Sequence, residues 1–360
     1  MIDQMAVGGT ENQLRLLLRN FDPNRVRPYL ICLRDEEAAV REELGCEIFN
    51  LGVHALRPPQ GVVGVCGLAR LLRRLNIEVL VTFFQDSAAI GGFAGQLAGI
   101  PVVGSRRNIG YWHTPGRLRW LRIVNIVTDH FIANSQAARD VAVQVEGISR
   151  SAISVVYNAV DSTVFRPSQA PKIDRPLTIG CVGNLRKAKG HEILLEAFAK
   201  VKSQLSPLCL EIVGDGPERK SLEELASTLG ISDSVNFMGS CSNVAQAINT
   251  FDIGVLPSHS ESFSNAVLEY LASAVPVVAT DVGGTREVVD STVGRLVPPA
   301  DSDAMAAALV ELGVRSDLRR ELGSWARQVA ETRFSMEPIL KQWYGVLTSV
   351  VCSSGRRAKQ

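Results

Sequence analysis

Short apolar runs alternate with longer amphipathic stretches along the first half of the chain. Runs without internal polar alternation predict strands buried on both faces, and the stretches between them have a helical period. Strands that alternate with helices indicate a parallel α/β sheet. The predicted strands are 28–33, 47–51, 79–84, 101–105, 130–134 and 153–157, and the predicted helices are 11–20, 36–44, 62–75, 86–98, 116–127 and 135–145.

The same alternation restarts after residues 168–176, whose polar, proline-containing sequence SQAPKIDRP predicts a linker. We therefore expect two Rossmann-like, doubly wound α/β domains, 1–167 and 177–335, that face a central cleft. A last helix, 336–350, is expected to pack back toward the first domain, and 351–360 to form a flexible tail. The predicted strands are 177–183, 208–214, 235–238, 253–256, 275–279 and 294–297, and the predicted helices are 191–204, 218–229, 244–249, 265–273, 304–313 and 318–332.

Composition excludes several classes of protein. The chain is 46% hydrophobic and 21% charged, with a formal net charge of +1, so neither disorder nor a nucleic-acid-binding field is expected. The seven cysteines contain no CxxC pair, which indicates a reducing, cytoplasmic compartment. The longest apolar stretch, 88–104, is interrupted by Gln96 and is shorter than the about 20 residues of a membrane span.

Two loops in the second half follow predicted strands. The first has the composition of a phosphate-binding loop, and the second that of a tight turn. Residues 183–190, GNLRKAKG, offer backbone amides, a helix start and Lys189 to an anion, although no Walker GK[ST] is present. A basic solvated turn is an equally good interpretation. Residues 214–217, GDGP, predict a tight turn that could contact a ligand through its backbone.

A third loop, 257–265, is polar and follows a buried strand. Glu261 and Glu269 would lie about 12 Å apart on a helix, too far for an acid/base pair on one bond but suited to the two ends of a long polar ligand. The amides of residues 263–265 would favour a diphosphate at the helix start. The alternative for Glu269 is a solvated helix face. Gly283-Gly284 could add main-chain donors, or form a simple turn.

Six stretches together resemble the retaining glycosyltransferases of family 4, the group 1 enzymes with the GT-B fold. The resemblance covers nearly the whole chain, and the stretch from 260 to 284 is the most specific. The matching segments are GGTENQL at 8–14, NAVD at 158–161, VGNLRKAKG at 182–190, VGDGPE at 213–218, SESFSNAVLEYLASAVPVVATDVGG at 260–284 and GRLVPPAD at 294–301.

This resemblance implies residue roles. Lys189 and Arg186 would bind the donor diphosphate, Glu261 would hold hydroxyls of the donor sugar, and Glu269 would hold the ribose. Backbone at Gly9 and at residues 263–265 would meet the phosphates, and the base would lie against loops 214–217 and 239–242. Donor-binding residues are Gly9, Gly183, Asn184, Gly214, Phe263, Ser264, Asn265 and Glu269, with Glu261, Lys189 and Arg186 as catalytic residues.

Neither a cofactor nor a metal is expected, since cations and a helix N-terminus can stabilise the departing diphosphate. The nucleotide-sugar, most simply a UDP- or GDP-sugar, is a substrate. Asp301-Ser302-Asp303 is a tempting Asp-x-Asp metal motif, but its position before a predicted helix favours an N-cap.

Departures from the family pattern concern charge and the general base. Asn184 stands where the family often has Arg, and Ser264 where it often has Gly. Many members carry a His near the sugar where this chain has residues 105–108, SRRN; His113 is then either a substitute or a loop histidine. The leaving phosphate could instead take the acceptor proton.

The front of the chain departs as well. Only residues 1–7 precede the Gly-Gly loop, so the first, central strand is shortened or absent. An absent strand would leave buried strand edges unpaired. We therefore expect the natural chain to start upstream of Met1.

The acceptor is expected to be a sugar or lipid-linked sugar that docks on the first half, beside Arg106, Arg107, Asn108 and His113. Segment 110–122 mixes aromatic and basic residues, so it is either a contact with an anionic membrane at the inner face or a solvated helix with a buried Trp120. A chain with such an acceptor would act in polysaccharide or glycolipid synthesis. The alternatives are an inactive nucleotide-sugar-binding protein and a sugar-nucleotide epimerase.

Overall fold

A computed structural model describes residues 1–6, 8–34, 44–110, 113–168 and 175–357, with side chains through 354. They form two compact units: Met1–Asn158 with Met336–Gln360, and Ala159–Ser335. All but the last residue of the predicted helix 36–44, and most of the predicted linker, lie outside the described residues.

The first unit is built on parallel strands. Strands β3 to β6 form one sheet in chain order, and β1 pairs with β2 in another. Its elements are α1 Gly9–Asn20, β1 Tyr29–Cys32, β2 Glu47–Asn50, α2 Gln60–Arg74, β3 Leu80–Thr82, α3 Gln85–Ala98, β4 Val102–Arg106, α4 Pro115–Ile126, β5 His130–Ala133, α5 Gln136–Val141 and β6 Ile153–Val155.

Residues 1–3 join these two sheets. Ile2 forms parallel bridges to Cys32 and to Phe83, and its amide donates to the carbonyl of Ile31 at 2.9 Å. The amide of Phe83 in turn donates to the carbonyl of Met1 at 2.9 Å. The central strand is therefore very short, and over these residues it pairs the edges of β1 and β3.

The second unit contains one six-stranded parallel sheet in the order β12-β11-β10-β7-β8-β9. The strand order reverses between β7 and β10, which makes their carboxyl ends the ligand-binding point of such a sheet. The elements are β7 Leu177–Val182, α6 His191–Lys202, β8 Leu208–Val213, α7 Arg219–Thr228, β9 Val235–Gly239, α8 Val244–Ile248, β10 Ile253–Leu256, α9 Asn265–Ala272, β11 Val277–Thr280, β12 Gly294–Val297, α10 Ser302–Val314 and α11 Ser316–Val329.

Close packing fixes α9 on this sheet. An added Cβ at Gly254 of β10 would lie 2.6 Å from the ring of Tyr270, so only glycine lets the helix approach this closely. The core around it is apolar, with Leu194, Phe198 and Ile253 wholly buried. These contacts fix the position of the strands from whose carboxyl ends the polar loops leave.

The last helix, α12, runs over Met336–Arg357. The hydroxyl of Tyr344 accepts a 2.8 Å hydrogen bond from the amide of Asp22, and the Arg25 guanidinium lies 4.0 Å from the Tyr344 ring. These contacts are within the first unit. The tail predicted from residue 351 is wrong as far as Arg357, because the helix continues to that residue.

Candidate active site in the second unit

The loop after β7 turns sharply into α6. Residues Lys187–Lys189 form one 3-10 turn, and Gly190 has a φ of 62°. A Cβ at Gly190 would lie 2.2 Å from the carbonyl oxygen of Pro257, so the backbones of two loops touch there. Glycine is required by both the left-handed conformation and this approach.

The loop after β10 is tied to the first one. The amide of His259 donates to the carbonyl of Ala188 at 3.0 Å. The imidazole Nε2 of His259 lies 2.6 Å from Glu192 Oε1. Ser258 is fully buried, and its carbonyl accepts a 2.6 Å hydrogen bond from Thr280 Oγ1. These contacts bring the loops after β7 and β10 together at the point where the strand order reverses.

An ion pair joins Lys189 and Glu261 across these loops. Lys189 Nζ lies 2.6 Å from Glu261 Oε2, and the Ser258 hydroxyl lies 3.5 Å from the same oxygen. The lysine side chain is 32% exposed and the glutamate 12%, so the pair is partly screened from water. Helix α6 begins two residues after Lys189, and α9 begins four residues after Glu261. The positive ends of both helices therefore adjoin the pair along the chain.

Glu269 lies on α9, half-buried, and burial raises the pKa of its carboxyl to about 7. Among the described residues its carboxylate has no hydrogen-bond or ion-pair partner. The neighbouring Tyr270 accepts a 2.6 Å hydrogen bond from the amide of Val182 at the end of β7. Ser264 caps α9 by accepting a 3.4 Å hydrogen bond from the amide of Val267. The helix is thus anchored at its start and in its middle.

The remaining residues predicted for donor binding lie around the first loop. Asn184 and Arg186 are exposed, and the described residues contain no ion pair for the Arg186 guanidinium. Gly214 has a φ of 139°, and a Cβ there would lie 2.1 Å from the carbonyl oxygen of Gly183. The turn predicted at 214–217 lies slightly later, at residues 217–218, and residues 214–216 pack against loop 183–190, where the amide of Leu185 donates to the carbonyl of Asp215 at 3.0 Å. Phe263 is buried, and its ring centroid lies 5.8 Å from that of Phe334; Asn265 is the first residue of α9.

Two other second-half predictions have clear outcomes. Asp301 caps α10 by accepting a 2.8 Å hydrogen bond from the amide of Ala304, which confirms the N-cap prediction. Asp303 pairs with Lys200 at 2.6 Å. The amide of Gly284 donates to the carbonyl of Ser262 at 3.1 Å. This amide is therefore satisfied within the loop, and Gly283-Gly284 form a turn, which was one of the two interpretations of this dipeptide.

The first unit places Arg106 in its interior. Arg106 Nε donates to Glu146 Oε2 at 2.7 Å, and its guanidinium lies 4.8 Å from the Phe131 ring. His113 Nε2 lies 3.8 Å from Glu146 Oε1, and burial lowers the pKa of His113. Both side chains lie in one buried cluster with Glu146, which neutralises the charge of Arg106.

Arg107 and Glu11 are neighbours in the first unit. Arg107 donates to Asn158, and burial lowers its pKa to about 10, opposed by the charge of Glu11. Gly9 is the first residue of α1, the helix that carries Glu11. Asn108 Oδ1 accepts a 3.0 Å hydrogen bond from the amide of Gly110. Gly9 and Arg107 thus lie near one charged cluster.

Sequence reasoning missed the residues that support the pair. Ser258, Thr280 and Tyr270 were not singled out, although Tyr270 and Thr280 lie inside the stretch 260–284. A hydroxyl at the end of an otherwise apolar strand was the available signal for Thr280. Nothing in the sequence indicated that His259 would pair with Glu192.

Two Rossmann-like α/β units of this kind define the GT-B class. Residues 7–164 match the family Glycosyltransferase Family 4, and residues 176–313 match the family Glycosyl transferases group 1. The two matches cover most of the chain without overlap. This chain belongs to the group 1 glycosyltransferases of family 4.

Individual relatives agree with this assignment. N-acetyl-alpha-D-glucosaminyl L-malate synthase of Bacillus anthracis is 31% identical over 207 residues, 55% of this chain and 54% of the relative. A Rickettsia africae glycosyltransferase superposes with a TM-score of 0.86 at 16% identity, covering 97% of both chains. Anabaena HepE, solved with UDP and glucose, gives 0.85 at 23%, covering 97% of this chain and 98% of HepE. The chain spans about half the length of the curated relatives it matches.

Within the described ranges, 1–6, 8–34, 44–110, 113–168 and 175–357, no helix combines the length and apolar character needed to cross a bilayer.

Proposed function

We propose that this chain is a retaining glycosyltransferase that moves a sugar from a nucleotide-sugar donor to a sugar or lipid-linked acceptor. The observation that carries the proposal is the 2.6 Å ion pair between Lys189 and Glu261 where the strand order reverses. It supplies one cation for a diphosphate and one carboxylate for sugar hydroxyls at adjacent positions.

Donor binding would exchange the partners of this pair. The diphosphate would take the Lys189 ammonium, with Arg186 as a second cation, and would lie at the positive end of α9. Glu261, released from Lys189, would then accept hydrogen bonds from donor hydroxyls. Both interactions replace an existing one, so neither charge is left buried and unpaired.

Glu269 would hold the ribose hydroxyls. Its carboxylate is half-buried and has no partner among the described residues, so burial destabilises the charged form. Hydrogen bonds from the ribose hydroxyls would stabilise that charged form. Residues 214–217 would contact the base through their backbone. The donor would therefore extend from Glu269 at the ribose to Glu261 at the sugar.

Bond breaking places negative charge on the leaving diphosphate. Lys189, Arg186 and the helix terminus stabilise that charge more strongly as it grows, which lowers the barrier without assistance from a metal. The departing phosphate oxygen would take the proton of the acceptor hydroxyl while the acceptor oxygen bonds to the anomeric carbon on the same face. Retention of configuration follows.

A UDP-sugar is the first donor to test and a GDP-sugar the second, because the similar HepE fold was solved with UDP and glucose. Polysaccharide or glycolipid synthesis suits a sugar or lipid-linked acceptor. The roles of Gly9, Gly183 and Asn184 as further donor contacts belong to the same proposal.

Donor turnover tests the proposal. Purified protein is incubated with UDP- and GDP-sugars, with and without sugar acceptors, and released nucleotide and sugar products are measured. We expect nucleotide release coupled to sugar transfer. Glu261→Gln should lower the rate of transfer at least about tenfold, because a charged hydrogen bond to the donor sugar is lost. Lys187→Ala should transfer at the rate of the natural chain.

Other outcomes separate the alternatives. Donor binding without turnover would show a nucleotide-sugar-binding protein instead. Release of an isomerised sugar with no acceptor present would show an epimerase.

A further inference from the structure

Helices α2, α3 and α4 form one layer of the first unit. Arg73 of α2 donates to the carbonyl of Leu97 at the end of α3. Ala88 and Ala89 of α3 pack with Val124 of α4 in one buried cluster. The outward sides of the three helices are therefore neighbouring surfaces.

Large apolar side chains project from the outward side of α3 and α4. Ile126 is 81% exposed and Trp120 43% exposed, whereas Leu121 and Val124 carry the packing of α4. Scattered exposed apolar residues are ordinary on a soluble protein, but a group of them on adjoining helices marks an interaction surface. The exposed apolar residues of this group are Phe93, Leu97, Trp120, Ile123 and Ile126.

Arginines accompany these apolar side chains. Helices α2 and α4 contain no Asp or Glu, and the single acid of α3, Asp86, pairs with Arg34 at 2.5 Å. We call the whole surface the basic apolar face; its exposed arginines are Arg70, Arg73, Arg74, Arg117, Arg119 and Arg122.

We propose that the basic apolar face binds the surface of an anionic lipid bilayer. Isoleucine and tryptophan side chains insert among the headgroups, while arginines keep their guanidinium groups at the phosphate level. Each cation near such a surface contributes about 1 kcal/mol. The absence of acids on α2 and α4 suits a uniformly negative partner, which a lipid surface is.

This surface corrects the sequence expectation for segment 110–122. Trp120 is exposed, so a solvated helix with a buried Trp120 is wrong, and His113, buried beside Glu146, contributes nothing to the face. Phe93, Leu97 and the arginines of α2 enlarge the contact beyond that segment. The inference is independent of the donor site, because no residue of the face belongs to it.

Vesicle sedimentation tests the proposal. The full chain is pelleted with vesicles of phosphatidylcholine alone or with added phosphatidylglycerol, at low and at high salt. We expect binding to the anionic vesicles that high salt weakens. Each lost arginine should reduce the partition coefficient about fivefold, the equivalent of about 1 kcal/mol.

The variant Ile126→Ser/Arg119→Gln should lose most of this binding. The matched control Val314→Ser/Arg315→Gln also removes one exposed aliphatic side chain and one exposed arginine, but on the second unit, and should bind like the natural chain. Donor turnover should be the same in both variants.

Equal partition onto neutral and anionic vesicles, no binding to either, or equal loss in both variants would overturn the proposal. Absence of vesicle binding would leave a protein as the occupant of this face.

Discussion

The hydroxyl of Tyr270 accepts a 2.6 Å hydrogen bond from the amide of Val182. This contact joins α9, which carries Glu269, to the residue after which the Lys189 loop begins. Tyr270 is fully buried, so its hydroxyl has no water as a substitute partner. Two elements of the proposed donor site therefore depend on one hydroxyl for their relative position.

Replacing Tyr270 by Phe should lower stability and also weaken donor binding. The amide of Val182, a half-buried residue, would lose its hydrogen-bond acceptor, which costs about 1 kcal/mol in the free energy of unfolding. Urea denaturation measures that loss, and calorimetric titration with UDP-glucose measures the affinity.

Tyr344→Phe is the control, because the Tyr344 hydroxyl also accepts from a backbone amide, that of Asp22, but in the first unit. It should lower stability without changing the affinity for UDP-glucose. An affinity that is unchanged in Tyr270→Phe as well would contradict the positioning role.

Donor affinity should depend on the protonation of Glu269. The pKa of its carboxyl is about 7, and ribose hydroxyls donate to the ionised form. The affinity for UDP-glucose, whose diphosphate does not titrate here, should fall about tenfold between pH 8 and pH 6. Glu269→Gln should bind weakly at both pH values and show no such dependence. A steep dependence that survives in Glu269→Gln would assign the titration to another group.

Stability should have the opposite dependence on pH. The pKa of Glu269 is raised from 4.5 to about 7 on folding, so the folded chain retains a proton that the unfolded chain loses. Stability contributed by this group is complete below pH 4.5 and is lost as pH rises through 7. The loss is up to about 3 kcal/mol at 1.36 kcal/mol per pKa unit. Denaturation at pH 5 and pH 8 should show Glu269→Gln gaining stability over the natural chain only at the higher pH.

The Arg106–Glu146 pair should matter for folding. Both side chains are at most 10% exposed, so Arg106→Gln would leave a buried carboxylate without its cation, at a cost of about 3–5 kcal/mol. The exposed pair of Arg27 with Glu47 is the comparison, and Arg27→Gln should cost less than about 1 kcal/mol. Thermal unfolding of the two variants measures the difference; equal costs would show that Arg106 is not a structural charge.

The sequence predicted the strands and helices of both units well, because buried parallel strands are uniformly apolar runs. It also indicated that the loops around Lys189 and Glu261 leave carboxyl ends of strands. The pairing across 72 residues could not be predicted, because loop-to-loop contacts such as that of His259 with Ala188 leave no periodic signal.

The burial of Arg106 beside Glu146 could not be predicted from the sequence. Arg106 lies at the end of a strand, where sequence alone does not distinguish a surface arginine from one neutralised by Glu146, 40 residues away. The bridging role of Ile2 was equally hidden, since a strand of about three residues has no alternation to detect. Helix α12 continues past Val350 into the segment predicted to be a flexible tail.

Binding of UDP to Lys189→Ala and Lys187→Ala, measured by calorimetric titration, tests the central claim most directly. Both variants remove one lysine from the same short turn, but only Lys189 pairs with Glu261. We predict that Lys189→Ala weakens UDP binding at least about tenfold, as expected for a charged hydrogen bond, and that Lys187→Ala changes it little. Equal affinity in the two variants would contradict a diphosphate site at Lys189.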